Sequence, residues 1–290
     1  MAGFFLSKYE NYTQSAKNYD KFRVPVGVEI IIGYLTMNKK PLDQQVILDA
    51  GCGTGNYLAA LKGHVGRLYG IEINSGMLEQ VARKVQDDPI VQIDKGNITQ
   101  LPYEDNFFDG ILCNQVIHHL DKELDFPEGS TEDPSWDNYP NLVKFIYEAF
   151  RVLRKSGVLI INTCSYRQIR EGYWYAEFIP AAIERMIRKY PSIPTVTQVL
   201  LEAGFQKMDI TVPFHDTLQG PNYFDPQGPL KPKWRSSDST WTLVTSAELT
   251  HTLARIRQMN EDGNIHRYIA QHEQLREKVG QTTFIYAKKV

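Results

Sequence analysis

Short runs of β-branched and aliphatic residues alternate along the chain with stretches whose apolar positions recur every three or four residues. That alternation predicts strands at residues 46–50, 67–73, 90–93, 108–114 and 158–163. Between and after them it predicts helices at 56–62, 75–85, 141–153 and 173–189, with Asn74 placed to cap the second. Strand followed by helix, repeated, is the pattern of a parallel sheet covered on both faces. Further on, residues 199–203 read as a helix end stopped by Gly204. Residues 205–212 and 282–288 read as the last two strands.

Between those last strands lies a connection far longer than most compact domains use. It opens with PFHDTLQGPNYFDPQGPLKPKW and closes with helical patterns at 246–259 and 265–278. Phe214, Tyr223, Phe224, Trp234 and Trp241 argue that it packs rather than floats. The expectation is one domain: residues 25–212 and 281–290 form the core, and residues 213–280 are inserted as a cap.

Composition narrows the function. With 290 residues, 42% hydrophobic and 23% charged, the chain is that of an ordinary globular protein. Its 32 basic and 34 acidic residues leave a net charge of −2, which disfavours a surface built for nucleic acid. Cys52, Cys113 and Cys164 lie far apart, without metal-ligand spacing, and read as buried reduced thiols; no metal is expected. The apolar start is cut by Lys8 and Glu10, too early for a signal peptide. The apolar run at residues 24–35 is shorter than the roughly 20 residues of a membrane span. The expected location is the cytoplasm, with no membrane contact.

The stretch DAGCGTGNY, residues 49–57, carries the chemistry. A strand delivers the chain to Gly51-Cys52-Gly53-Thr54-Gly55, where glycines permit positive φ and leave backbone open to a ligand. Glu72 ends the next strand about 20 residues on, a spacing that suits a ribose acceptor. A dinucleotide fold would want GxGxxG and a pyrophosphate at the helix start. Here the pattern is GxGxG, and Asp49 would repel a pyrophosphate. An acid suits a cofactor bearing an ammonium and a sulfonium, which is S-adenosylmethionine. An NAD-dependent oxidoreductase is the disfavoured alternative.

On these residues the chain resembles the class I S-adenosylmethionine-dependent methyltransferases, a group that includes the ubiquinone/menaquinone-type enzymes. DAGCGTG is similar to the family's first motif, YGIEINSGMLEQVARK to its second, KGNITQLPYEDNFFDGILCNQVIHHL to its third and fourth, and RVLRKSGVLIINT to its fifth. The resemblance implies a Rossmann-like, doubly wound seven-stranded α/β sheet, mostly parallel with an antiparallel last strand. It places Asp49, Gly51, Cys52 and Gly53 at the methionine part, Glu72 at the ribose, and Ile73, Met77, Asn97 and Ile98 around the adenine. Asn97 replaces the family's usual aspartate, and Lys155-Ser156-Gly157 replaces its proline-glycine-glycine turn. Asn114 and Gln115 fall beside the transferred methyl. Residues 1–24 would fold over the cofactor, bringing Tyr12 or Tyr19 to the sulfonium.

His118 and His119 follow the fourth strand, and histidine is the residue type for a base near neutrality. Only one of two neighbours should enter the site, and His119 is the first choice. Tyr173, Trp174 and Tyr175 could stack on an acceptor. The carboxylate-rich loop 121–137 favours a cationic or neutral one, whereas Arg167, Arg170, Arg185, Arg188 and Lys189 favour an anion. The expected reaction is in-line methyl transfer to a small molecule. Methylation of tRNA or protein, and binding without catalysis, are the alternatives. The insertion also offers a homodimer contact.

Overall fold

The computed structural model describes residues 20–85, 88–124 and 135–290. Seven strands form one sheet: β1 (Val46–Ala50), β2 (Arg67–Glu72), β3 (Val91–Lys95), β4 (Phe108–Asn114), β5 (Leu153–Thr163), β6 (Gln206–Thr211) and β7 (Thr283–Lys288). Their order is β3-β2-β1-β4-β5-β7-β6. β1 to β5 pair in parallel, and β7 runs antiparallel to both β5 and β6. The chain order reverses beside β1, so the loops after β1 and β4 part there and open a crevice at the carboxyl edge.

Ten helices follow: α1 (Val28–Thr36), α2 (Asn56–Leu61), α3 (Ser75–Lys84), α4 (Pro140–Val152), α5 (Tyr166–Glu171), α6 (Pro180–Ile187), α7 (Ile193–Glu202), α8 (Pro232–Arg235), α9 (Ser246–Glu261) and α10 (Ile265–Val279) among the described residues. The strands are buried on both faces. Leu48, Ile111, Leu159 and Ile161 face one way, onto α4 and α7. Ile47, Leu112, Val158 and Ile160 face the other, onto α1 and α2. This two-sided burial is why the strands are near-continuous apolar runs.

Two expectations need correction. The predicted helix at 173–189 is broken: Tyr173 to Tyr175 are not helical, a 3-10 turn covers Ala176–Phe178, and α6 starts at Pro180. A proline disfavours helical backbone in the residue before it, and Ile179 sits at φ −133°. The fifth strand starts at Leu153 rather than 158, because the Lys155-Ser156-Gly157 turn is a bulge inside it. Ser156 has φ 68°, and pairing with β4 shifts register between Phe108 and Gly110.

A third apolar cluster stands apart from both sheet faces. Trp174, Tyr175, Ile183 and Met186, which follow β5, pack with Tyr223, Trp234, Trp241, Ile256, Ile265 and Ile269 from the stretch between β6 and β7. The Trp174 indole donates to the Tyr223 carbonyl at 2.8 Å, and Arg185 of α6 makes paired bonds of 2.9 Å to Glu248 of α9. Residues 20–27 tie this layer to the sheet. Val24 N–H donates to the Leu218 carbonyl (3.3 Å) and Gly27 N–H to Asp216 (3.0 Å), while Thr54 donates to Asp20 (2.5 Å). No helix among the described residues is long and apolar enough to cross a membrane.

Candidate functional site

β1 ends by delivering Asp49, after which the chain turns through Gly51 (φ 79°), Gly53 (φ 53°) and Gly55 (φ 81°) into α2. A Cβ on Gly51 would lie 2.7 Å from Val116 Cγ2, so this turn closes on the loop after β4. Around Gly53 nothing among the described residues lies within 4 Å of such an atom. Gly53 N–H donates to Glu72 Oε2 at 3.0 Å. Glu72 Oε1 accepts from Ile73 N–H (2.9 Å) and Asn74 N–H (2.8 Å). With two bonds on one oxygen and one on the other, the carboxylate keeps lone-pair capacity for a ribose hydroxyl. Burial raises its pKa despite these donors.

Asp49 is 2% exposed, and neither of its oxygens completes a hydrogen bond. Burial first, then the charge of Glu72, pushes its pKa up to about 7, and the Asn114 carboxamide alongside offsets only part of this. Buried polar atoms are normally bonded. Here unbonded ones gather at the carboxyl ends of β1, β4 and β5: both Asp49 oxygens, both Asn114 side-chain polar atoms, His118 Nδ1 and Thr163 Oγ1. Two carboxylates with unfilled capacity beside an open glycine loop fit a cofactor carrying an ammonium, a sulfonium and a ribose. Asp49 and Asn114 would hold the ammonium and Glu72 the ribose.

The residues expected around an adenine follow the same edge. Asn74 caps α3 by accepting from Gly76 N–H (2.9 Å) and Met77 N–H (3.1 Å), and Met77 is buried. Ile98 is buried and Ile73 half-buried. Asn97 spends one carbonyl lone pair on Thr99 N–H at 3.0 Å, leaving one acceptor position. Cys52 turns its sulfur onto Gly70, where an added Cβ would meet it at 2.9 Å, so only its backbone is available to a ligand.

At the end of β4, Gln115 adopts φ 54°, an uncommon conformation for a residue with a side chain. Its carboxamide is fully used. Nε2 donates to Asn162 (3.0 Å) and Thr282 (2.8 Å), and Oε1 accepts from the Tyr190 hydroxyl at 3.3 Å and the Cys164 thiol at 3.6 Å. The His118 ring stacks on Tyr190 with centroids 4.1 Å apart, and its Nε2 lies 3.4 Å from the same hydroxyl. Burial, with the charges of His119, Arg23 and Lys189, lowers the His118 pKa well below the usual imidazole range. Burial and Lys189 lower that of His119 to about 3.

A cavity opens where this edge meets the third apolar cluster. Gln115, Cys164 and Tyr190, joined by hydrogen bonds, line it together with Tyr173, Tyr175, Asp238, Thr240 and Arg23, and Ile169, Ile183, Met186 and Leu218 give it apolar surface. The structure thus brings together Asp49, Gly53, Glu72, Asn114, Gln115 and His118 along one edge. His119 rests its ring on His118, centroids 3.9 Å apart, and does not reach the cavity wall. Tyr12 and Tyr19 lie outside the described residues, as does the centre of the acidic loop at 125–134.

Trp174 is fully buried beneath the cluster, while Tyr173 and Tyr175 face the cavity. The basic run forms ion pairs instead of gripping a ligand: Arg167 with Glu171 (2.8 Å), Arg170 with Glu184 (2.8 Å), Arg185 with Glu248 (2.9 Å) and Lys189 with Glu123 (3.1 Å). Arg23, Tyr190 and Asp238 escaped sequence reasoning. Only the cation directly ahead of the apolar run at 24–35 was a signal that could have flagged one of them.

A family model described as a methyltransferase domain matches residues 48–161. The demethylmenaquinone methyltransferase of Oceanobacillus iheyensis is 26% identical over 191 residues, covering 57% of this chain and 71% of the relative. A probable S-adenosylmethionine-dependent methyltransferase of Mycolicibacterium smegmatis is 26% identical over 169 residues, 58% of this chain and 55% of its own. Among solved structures, a methyltransferase assigned to an antibiotic biosynthesis pathway in Anabaena variabilis superposes with a TM-score of 0.69 at 23% identity, covering 91% of this chain and 98% of that one; this likeness speaks for the fold. The domain match and the relatives agree with the chemistry of the Asp49–Glu72 edge: residues 48–161 are a methyltransferase domain, and the chain is similar to S-adenosylmethionine-dependent methyltransferases over more than half its length.

Proposed function

We propose that this enzyme methylates a small molecule held in the cavity between Gln115 and Asp238. The observation that carries the reading is the cavity's lining: Gln115 and Cys164, which directly follow β4 and β5, share it with Tyr173 and Tyr175 and with Leu218, Asp238 and Thr240 of the stretch between β6 and β7. The bound cofactor supplies a methyl group on a cationic sulfur, which leaves without acid assistance. The chain's residues bind, orient and exclude water. Asp49 and Glu72 fix the cofactor, Gln115 holds the Tyr190 hydroxyl toward the acceptor, and Tyr173 and Tyr175 close the far side. In this reading residues 213–280 are the cap, and residues 20–24 belong to the strap across the cofactor loop.

Several observations support a small molecule over tRNA. The net charge is −2, and four of the five basic residues of the run at 167–189 are held in ion pairs. The curated relatives that carry the demethylmenaquinone name point the same way. A cytoplasmic location goes with this reading, as does a homodimer through the insertion, where Phe214 and Phe224 are exposed. Incubation with isotopically labelled S-adenosylmethionine and a host metabolite extract, followed by mass spectrometry, should yield a labelled small product. Label appearing only in RNA or protein would sink the proposal.

A further inference from the structure

We propose that Arg23 is a positioning residue that couples the two halves of the site. With the cofactor seated on the glycine turn, residues 20–27 hold the insertion over the acceptor cavity, through the Arg23 Nε bond to the Ser237 carbonyl. The proposal rests on the methyltransferase reading above.

The hydrogen bonds of residues 20–27 divide between two partners. One set reaches the cofactor side. Thr54 Oγ1, in the glycine turn, donates to Asp20 at 2.5 Å, Asn56 Nδ2 at the start of α2 donates to the Arg23 carbonyl at 3.3 Å, and the Tyr57 hydroxyl donates to the Val26 carbonyl at 3.1 Å. Lys84 of α3 adds an ion pair of 2.8 Å to Asp20. The other set reaches the insertion. Asn222 Nδ2 donates to the Lys21 carbonyl (3.0 Å), Arg23 Nε to the Ser237 carbonyl (2.7 Å), Val24 N–H to the Leu218 carbonyl (3.3 Å) and Gly27 N–H to Asp216 (3.0 Å). The two sets interleave along the segment, so a shift on one side disturbs bonds to the other.

Arg23 joins both sets in a single residue, its carbonyl on α2 and its side chain on the insertion. Ser237 is buried, and the Asp238, Ser239 and Thr240 that follow it line the cavity. Fixing the Ser237 carbonyl therefore fixes the chain where it enters that lining. At the other end, the glycine turn is backbone with freedom to lose: Gly51, Gly53 and Gly55 all take positive φ. A ligand bound to this turn sets Thr54 and Asn56, and through them Asp20 and Arg23. Seating the insertion then requires less further ordering, and the coupling is reciprocal. The bond rather than the positive charge carries the link. Glutamine places its Nε2 at the same position along the side chain as arginine Nε, with no charge, whereas methionine places a methyl group there.

The test is hydrogen exchange read by mass spectrometry on the full-length protein, with and without saturating S-adenosylhomocysteine. The reporters are the amides of Ser237, Asp238, Thr240 and Trp241, each of which donates a hydrogen bond in the folded chain. The ligand should slow their exchange about five-fold or more. Arg23→Gln should keep this response and Arg23→Met should abolish it. Asp20→Ala, which cuts the segment from Thr54 and Lys84 while leaving Arg23 in place, should abolish it too; direct contact between ligand and reporters would survive that change. A merely structural role would speed exchange equally with and without ligand and leave the ratio intact. No slowing in the wild-type protein, an undiminished response in Arg23→Met or Asp20→Ala, or a lost response in Arg23→Gln overturns the proposal. The wild-type measurement decides even where a variant fails to fold. Calorimetry of S-adenosylhomocysteine with the wild-type protein separates the two readings. If that ligand does not bind, the methyltransferase assignment has failed; if it binds and the reporters do not respond, the coupling has failed.

Discussion

At Asp49 the folded chain keeps a carboxylate that folding alone would not select. It is buried, lacks a completed hydrogen bond, and faces a second acid in Glu72. Its pKa, raised to about 7, means that the folded chain holds this proton to higher pH than the unfolded chain, whose aspartate titrates near 4. Stability is therefore highest below about pH 4, falls as pH rises toward 7, and is fully lost from this group above that. Cofactor binding works against that loss, because a cation favours the ionised form. Below about pH 7 the binding of S-adenosylmethionine should expel a proton, and affinity should rise by up to roughly ten-fold per pH unit. Calorimetry in buffers of differing ionisation enthalpy would measure that proton. Asp49→Asn should raise the melting temperature at pH 8 by about 3–6 °C while weakening cofactor binding roughly 30-fold, about 2 kcal/mol. Glu72→Ala should weaken binding at least as much without the gain in stability, since it leaves the N–H groups of Gly53, Ile73 and Asn74 without their acceptor.

At the level of elements, the glycine turn separates two demands that the sequence motif fuses. At Gly51 both φ and contact with Val116 require glycine. Gly51→Ala should cost upwards of about 2 kcal/mol, combining left-handed strain with a clash. At Gly53 only φ is at stake, because among the described residues nothing occupies the space a Cβ would take. Gly53→Ala should cost about 1 kcal/mol of stability yet lower cofactor affinity more than that. Melting temperature and calorimetry on the pair would reveal the inversion.

The strands were legible because burial on both faces writes them as apolar runs such as VILDA and FDGILCN. The meeting of the glycine turn with Glu72 was legible because one local turn and one acid about 20 residues on define it, and Gly53 N–H bonds Glu72. The helix expected at 173–189 was misread. Its apolar periodicity is genuine, but it reflects packing of Trp174, Phe178 and Ile183 in the third cluster, and Pro180 interrupts the backbone beneath it.

Across the whole molecule, the cavity lined by Gln115 and Asp238 was not legible at all. Arg23 and Ser237, bonded at its rim, stand 214 positions apart. Their meeting depends on how the insertion seats on the residues after β5, which no local pattern encodes. Trp234 is central to that seating: it is 1% exposed, donates to the Asn222 carbonyl at 2.8 Å, and meets Tyr175 and Trp241 edge-on. Trp234→Ala should cost about 3–5 kcal/mol where the cluster unfolds with the rest. It should raise the KM for the acceptor well above its effect on cofactor binding, because Asp238 and Tyr175 lose their backing while the Asp49–Glu72 edge is untouched. Steady-state kinetics beside calorimetry would show the split.

The placement of β7 between β5 and β6 also governs how the sheet is assembled during synthesis. β1 to β5 can pair as they leave the ribosome, each beside a neighbour already made. β6 has no partner until residues 283–288 arrive, after the whole insertion has been translated. Until then the outer side of β5 is an exposed strand edge of the kind that recruits foreign chains. The nascent protein must therefore hold an incomplete sheet through some seventy further residues of translation, and chaperone dependence should be greatest in that interval.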